Sequence, residues 1–190
     1  MRNVVLCTLM SLDGVADDPG RSDWFIDADH RILENLDRII STQDTVLLGR
    51  GTYDFWVHDW PGSDMQPFAD FINLTPKVVF TSSTPETLWS ASTFVAAPAA
   101  AYVAALKRED GGDIGIHGSL TLAQSLLREC LVDELRLVVS PSLAGRGRRI
   151  FDDIGGLTCF ELIDMDRSGG CLLLSYRKRV TPEPARPDEA

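Results

Sequence analysis

Residues 49–52, with the sequence Gly-Arg-Gly-Thr, carry groups suited to binding an anion. They follow the apolar run at residues 46–48 and precede an aromatic-rich segment, which predicts a strand that leads into a helix. The N–H groups at a helix N-terminus attract anions, and the Arg50 guanidinium offers a planar set of donors that fits a phosphate. Gly49 and Gly51 would let a ligand approach the main chain closely, whereas Thr52 could contact the ligand or simply cap the helix.

Two further segments repeat this chemistry at the ends of predicted strands. Residues 81–83, Thr-Ser-Ser, lie at the end of a strand at residues 77–81, and residues 117–120, His-Gly-Ser-Leu, join another strand to a helix. Each segment alone is compatible with ordinary turn and capping chemistry, with Arg50 solvated. Three such segments together favour one extended anionic ligand, and a dinucleotide could use all three.

Strands and helices alternate along the chain, as its hydrophobic periodicity indicates. We predict strands at residues 4–9, 45–48, 77–81, 93–95, 113–117, 134–139, 160–165 and 171–177, and helices at residues 29–40, from 52 onward, 66–73, 99–107 and 119–127. This alternation predicts an α/β fold with a mainly parallel central sheet, closed by an antiparallel C-terminal hairpin around residues 168–170. In such sheets ligands bind beyond the carboxyl ends of the strands, where the three segments lie.

Length and composition indicate one acidic globular domain. The chain has 190 residues and a net charge of −10, which disfavours nucleic acids and anionic membranes as partners. We expect a single domain over residues 1–180 and a disordered acidic tail at residues 181–190, where proline and acidic residues concentrate. The first residues do not resemble a signal peptide, and no apolar run has the length of a transmembrane helix, so we expect a cytoplasmic protein.

The cysteines and histidines show no spacing typical of a metal site, so we predict no metal. Cys7, Cys130, Cys159 and Cys171 lie among apolar residues and form no Cys-x-x-Cys pair. We therefore expect four reduced thiols in the core, as is usual for a cytoplasmic protein. A disulfide between Cys159 and Cys171 is conceivable but not required.

Five segments resemble, in this order, motifs of the dihydrofolate-reductase-like superfamily. They are LMSLDGVAD, LLGRGTY, KVVFTSSTP, IGIHGSLTLAQSLL and LVDELRLVVSPSLAGRGRRIF, and the resemblance covers roughly residues 3–178. The first and last are most similar to the reductase domains of riboflavin biosynthesis and their stand-alone relatives. The resemblance implies a three-layer fold, NADPH as the cofactor and a homodimer, for which the apolar run CLVDELRLVVSP would supply surface to bury.

The same resemblance implies roles in cofactor binding. Arg50 and Thr52 would face the cofactor phosphates, the two serines after the third strand would lie at the 2′-phosphate, and residues 118–120 would line the pyrophosphate. His117 replaces the first glycine of the family's usual pair, so it could donate to a phosphate or only fill a turn. Residues 8, 9 and 16 would border the nicotinamide. The implied contacts are Thr8, Leu9, Ala16, Gly49, Arg50, Thr52, Ser82, Ser83, His117, Gly118, Ser119 and Leu120.

Two aspartates are candidates for a catalytic acid. Folate reduction needs a buried carboxylate whose pKa is raised toward neutrality. In dihydrofolate reductases this acid lies five residues after a tryptophan; counting from Trp24 gives Asp29, and Asp27 is the other candidate. Either could instead be a solvated carboxylate that complements a helix dipole. The riboflavin-type reductases reduce a ribosyl group and need no acid at this place.

Arg146 and Trp24 are candidates for substrate binding. The loop at residues 141–149 carries Arg146 and two further arginines, which could hold a substrate phosphate or form a solvated basic loop. Trp24 and the aromatic residues at 25, 55, 56 and 60 could stack on a flat heterocycle or pack in the core. We therefore expect an NADPH-dependent reductase resembling 5-amino-6-(5-phosphoribosylamino)uracil reductase. Dihydrofolate reductase and a nucleotide-binding module without turnover are the alternatives.

Overall fold

The computed structural model describes residues 1–20 and 22–179, so the tail predicted at residues 181–190 lies outside the described residues. The strands are β1 (Val4–Ser11), β2 (Gln43–Gly49), β3 (Lys77–Phe80), β4 (Ser92–Val95), β5 (Asp113–His117), β6 (Glu134–Ser140), β7 (Phe160–Ser168) and β8 (Cys171–Lys178). The helices are α1 (Arg31–Ile40), α2 (Arg50–Asp59), α3 (Phe68–Leu74), α4 (Ala99–Leu106) and α5 (Leu120–Arg128), with a 3-10 turn at Trp60–Gly62. Within the described ranges, none of the helices has the length and apolar character that a membrane-spanning segment needs.

The eight strands form one sheet in the order β4-β3-β2-β5-β1-β6-β8-β7. The six strands from β4 to β6 pair in parallel, whereas β8 runs antiparallel to both β6 and β7. The predicted α/β fold with a mainly parallel sheet and an antiparallel C-terminal hairpin is therefore confirmed. Because β3, β2 and β5 are neighbours, the loops that follow them open at one edge of the sheet.

Side chains of β2 alternate between two cores, because successive residues of a strand point to opposite faces. Val46 and Leu48 pack with Tyr53 of α2 and with residues of α1 and α3. Leu47 packs on the other face with Leu126 of α5 and with α4. Each fully buried side chain of this size contributes about 1.5–3 kcal/mol, so both helical layers are held firmly on the sheet. The result is a three-layer molecule.

Two expectations are wrong, one about the cysteines and one about the apolar run at residues 130–141. Cys130 and Cys159 are exposed and only Cys7 and Cys171 are core thiols, all four being free. Cys130 lies in the turn after α5 with a φ of +53°, and Cys159 lies in the connection before β7. Most of the apolar run at residues 130–141 lies in β6, an interior strand, where Leu135, Leu137, Val138 and Val139 are buried within the chain, so this strand offers little free apolar surface to a second copy.

Candidate functional site

Arg50 lies at the N-terminus of α2, where β2 ends. Its Nη1 donates to the Ser83 hydroxyl at 2.9 Å, to the Ser83 carbonyl at 3.0 Å and to Thr81 Oγ1 at 3.2 Å. Its Nε contacts both carboxylate oxygens of Asp54, one helical turn later, at 2.7 Å each. The guanidinium therefore ties α2 to the loop after β3, while 33% of the Arg50 side chain stays open to solvent.

A junction also forms between the N-termini of α2 and α5. The Gly49 N–H donates to Ser119 Oγ at 3.0 Å, and Thr52 Oγ1 donates to the Gly118 carbonyl at 3.1 Å. Gly118 has a φ of +63°, and a Cβ there would lie 2.5 Å from Cζ2 of Trp56, so only glycine fits. Within the described chain no side chain caps either helix, which leaves main-chain N–H groups for a ligand.

The other predicted cofactor residues differ in what they present at this edge. Ser82 is exposed in the loop after β3, and Thr8 and Leu9 are partly exposed in the second half of β1. The side chains of Leu120 and Ala16 are buried in the core on the α5 face of the sheet. These last two residues can therefore offer a ligand little besides main-chain atoms.

The His117 imidazole points away from this junction. It is buried at the end of β5 beside the rings of Phe68 and Phe71, whose centroids lie 5.2 and 5.7 Å away. Its Nε2 lies 2.8 Å from Gln43 Oε1, and Gln43 Nε2 donates to Cys7 Sγ at 3.7 Å. Burial lowers the pKa of His117 to about 4 and raises that of Cys7 to about 12, so both are neutral at pH 7. No group of three or more potential metal ligands occurs in the part of the chain that the structure describes.

Asp29 and Asp27 lie against the turn between β7 and β8. Asp29 Oδ1 accepts hydrogen bonds from the Arg31 N–H at 3.0 Å and from Ser168 Oγ at 2.9 Å, and these bonds lower the pKa of Asp29. Asp27 is exposed, has a φ of +67°, and accepts the Gly170 N–H with its carbonyl at 2.8 Å. The shift at Asp29 is opposite to the raised pKa that a catalytic acid requires.

Trp24 and Arg146 come together at a recess of about 310 Å³ that also includes Ser22 and Ser142. Arg146 is exposed, whereas the Trp24 ring is buried and its Nε1 donates to the Asp17 carbonyl at 3.1 Å. Trp24 therefore has little free face on which a heterocycle could stack. The aromatic residues at 56, 60 and 68 pack edge to face with centroids 4.7–5.8 Å apart, beside the core under α2 and α3.

Asp54 and Thr81 bind Arg50, and neither contact was predicted from the sequence, although Thr81 belongs to the predicted segment at residues 81–83. Asp54 stands four residues after Arg50, and this spacing on a helix is a recognisable ion-pair signal. The contact of Thr81 with Arg50 could be identified only once β3 was known to lie beside β2.

Residues 2–173 match the family described as the RibD C-terminal domain. An uncharacterized protein of Bacillus subtilis (strain 168), YwjB, is 30% identical over 176 residues, which cover 92% of this chain and 97% of YwjB. Both similarities extend over nearly the whole length of the chain, and they include the strand ends that carry Arg50, Thr52 and Gly118.

Three solved structures show the same fold. A protein from Shewanella sp. PV-4 named for riboflavin biosynthesis has a TM-score of 0.76 at 20% identity, over 93% of this chain and 99% of its own. A Thermotoga maritima diaminohydroxyphosphoribosylaminopyrimidine deaminase/5-amino-6-(5-phosphoribosylamino)uracil reductase has a TM-score of 0.65 at 18% identity, over 94% of this chain and 57% of its own. Dihydrofolate reductase from Enterococcus faecalis, complexed with NADP(H), has a TM-score of 0.58 at 15% identity, over 93% and 96%. The dihydrofolate-reductase-like fold is thus confirmed, and by the match over residues 2–173 the chain belongs to the RibD C-terminal domain family.

Proposed function

We propose that this chain is an NADPH-dependent reductase of a small heterocyclic substrate, similar to 5-amino-6-(5-phosphoribosylamino)uracil reductase. The observation that carries the proposal is the contact of Arg50 with Ser83 and Thr81, beside the joined N-termini of α2 and α5. NADPH is anionic at two separate places, its 2′-phosphate and its pyrophosphate. Arg50 and Ser83 would contact the 2′-phosphate, and the free N–H groups of α5 would face the pyrophosphate.

The nicotinamide end would lie at Thr8 and Leu9. Cys7 pairs with His117 across β1 and β5, so Thr8 and Gly118 follow at the same level of the sheet. A cofactor whose pyrophosphate lies near Gly118 would therefore pass over the partly exposed end of β1. NADPH would supply the hydride, and the residues of this chain would bind and orient it.

Family membership supports a reductase, and the contacts of Asp29 favour the riboflavin-type reaction over folate reduction. A proton donor for folate must hold its proton near neutral pH. Asp29 accepts hydrogen bonds that stabilise its charged form, and Asp27 is exposed. A reaction at a ribosyl group needs neither carboxylate as an acid. The phosphate of such a substrate would lie at the recess beside Arg146.

The test is NADPH consumption by the purified protein with 5-amino-6-(5-phosphoribosylamino)uracil and, separately, with dihydrofolate. We expect the NADPH absorbance to fall with the first substrate and to change little with the second, and Asp29→Asn to leave the first rate nearly unchanged. Fast dihydrofolate reduction that collapses in Asp29→Asn would contradict the proposal. NADPH binding without consumption for either substrate would instead favour the nucleotide-binding module.

Arg146 offers a separate test of the substrate's position. Arg146→Gln should raise KM for the phosphorylated substrate on the order of tenfold or more, the loss expected for a hydrogen bond to a charged group. The KM for the same compound without its phosphate should not change, because Arg146 then has no anionic partner. An equal effect on both compounds would place Arg146 away from the phosphate.

A further inference from the structure

Three arginines in the loop after β6 have different surroundings. Arg149 pairs with Asp13, its Nη2 lying 3.3 Å from Asp13 Oδ2 and its Nε donating to the Asp13 carbonyl at 2.8 Å. Arg146 is exposed at the recess beside Trp24. Arg148 instead donates from Nη2 to Thr121 Oγ1 at 2.6 Å. Thr121 is the second residue of α5, so the Arg148 guanidinium lies beside the first turn of this helix, whose N-terminus forms part of the proposed cofactor site.

The main chain around Arg148 is fixed by the connection between β1 and α1. Asp13 accepts the N–H groups of Ala144 and Gly145, one on each carboxylate oxygen, both at 2.9 Å. The Ala16 N–H donates to the Arg148 carbonyl at 2.9 Å. Hydrogen bonds from the Ser11 hydroxyl and from Ala144 hold the pKa of Asp13 well below its usual range, so this anchor is a carboxylate at neutral pH.

The positive charge of Arg148 is not neutralised within the described ranges. The ion pairs there involve the arginines at 2, 50, 128, 136, 149 and 177, and none involves Arg148. The Thr121 hydroxyl orients the exposed guanidinium without cancelling its charge, and no other described residue engages its remaining donors, which could therefore contact an anion.

We propose that Arg148 contacts the pyrophosphate of the bound dinucleotide, and that Asp13 is the residue that positions it. This inference rests on the proposed function. In this proposal two arginines contact different phosphate groups of the cofactor. Arg50 contacts the 2′-phosphate, which only NADPH carries, whereas Arg148 contacts the pyrophosphate, which NADPH and NADH share.

The division is tested by measuring the Kd of NADPH and of NADH for the wild type, Arg148→Gln and Arg50→Gln. Arg148→Gln should raise both Kd values on the order of 10- to 100-fold, the range for a hydrogen bond to a charged group. Arg50→Gln should raise only the Kd of NADPH.

Arg108→Gln is the matched control, because Arg108 is exposed beyond α4 at the opposite edge of the sheet, and it should leave both Kd values unchanged. If the wild type binds NADPH and Arg148→Gln binds both cofactors equally well, the inference is overturned while the proposed function stands. If the wild type binds neither cofactor, the proposed function fails as well.

The positioning role of Asp13 needs a double-variant cycle. Asp13→Asn should weaken both cofactors in the wild-type background, because the loop that carries Arg148 loses its ionic anchor. In the Arg148→Gln background the same change should have no further effect on either Kd, since the group that Asp13 positions is already gone. A merely structural role would make the two losses add, and additive losses would remove Asp13 from the proposal. The conclusion on Arg148 itself does not depend on the Asp13 variant folding.

Discussion

Arg50 should determine the preference of the protein for NADPH over NADH. Its guanidinium faces the hydroxyls of Ser83 and Thr81, a setting that suits a phosphate monoester. Arg50→Gln removes the charge, so we expect the ratio of NADPH to NADH affinity to fall on the order of tenfold or more, as measured by fluorescence titration. Equal weakening of the two cofactors would place Arg50 at a part of the molecule that both share.

His117 should make the folded state sensitive to acid. Burial lowers the pKa of His117 from 6.5 to about 4, so between these pH values the unfolded chain binds a proton that the folded chain does not. The free energy of unfolding therefore falls as the pH falls through this window. His117→Gln keeps a donor for Gln43, and it should reduce the loss of stability between pH 7 and pH 5 by about 2 kcal/mol in urea unfolding.

The control for this experiment is His58→Gln, because His58 is exposed on α2. That variant should keep the pH dependence of the wild type. If His117→Gln also keeps it unchanged, His117 is not the buried group that opposes protonation.

At the scale of elements, Tyr53 fixes α2 against the connection between β3 and β4. The side chain is fully buried, its hydroxyl donates to the Thr87 carbonyl at 3.1 Å, and it accepts the Trp89 N–H at 2.8 Å. Tyr53→Phe would leave both main-chain groups without this partner, so we expect a loss of about 1–3 kcal/mol in the free energy of unfolding. Tyr102→Phe is the matched control and should change stability by less than about 0.5 kcal/mol. Equal losses in the two variants would show that the hydroxyl contacts of Tyr53 add nothing.

The sequence was sufficient to predict elements whose pattern is local. The apolar run at residues 46–48 and the glycines around Arg50 indicated both β2 and the start of α2, because hydrophobic periodicity and turn chemistry are read within a few residues. The face of the sheet toward which the His117 side chain points could also have been predicted, since Ile114 and Ile116 lie on one face of β5 and His117 must lie on the other. The contacts of Asp13 could not be predicted, because its partners at residues 144, 145 and 149 are more than a hundred residues away.

At the scale of the whole molecule, the homodimer stays a prediction, and the structure moves its expected surface from β6 to the hairpin of β7 and β8. Leu162, Met165 and Leu172 are 48%, 62% and 39% exposed, and the pairing of the two strands puts them on one face of the sheet. Exposed apolar groups that lie together favour contact with another protein. We expect a dimer mass in light scattering at micromolar concentration.

Met165→Glu should convert that dimer to a monomer, because it would bury a charge in the interface. Leu74→Glu changes an apolar residue at the end of α3 that is more exposed than Met165, 77% against 62%, and it should leave the dimer intact. A monomer mass for the wild type would contradict the prediction.

A crystal structure of the protein in complex with NADPH would decide whether the strand ends form the cofactor site. We predict the 2′-phosphate within hydrogen-bonding distance of Arg50 and Ser83, and the pyrophosphate at the first turn of α5 beside Gly118. Crystals grown at saturating NADPH that hold the cofactor elsewhere, or hold none with these residues open to solvent, would contradict it.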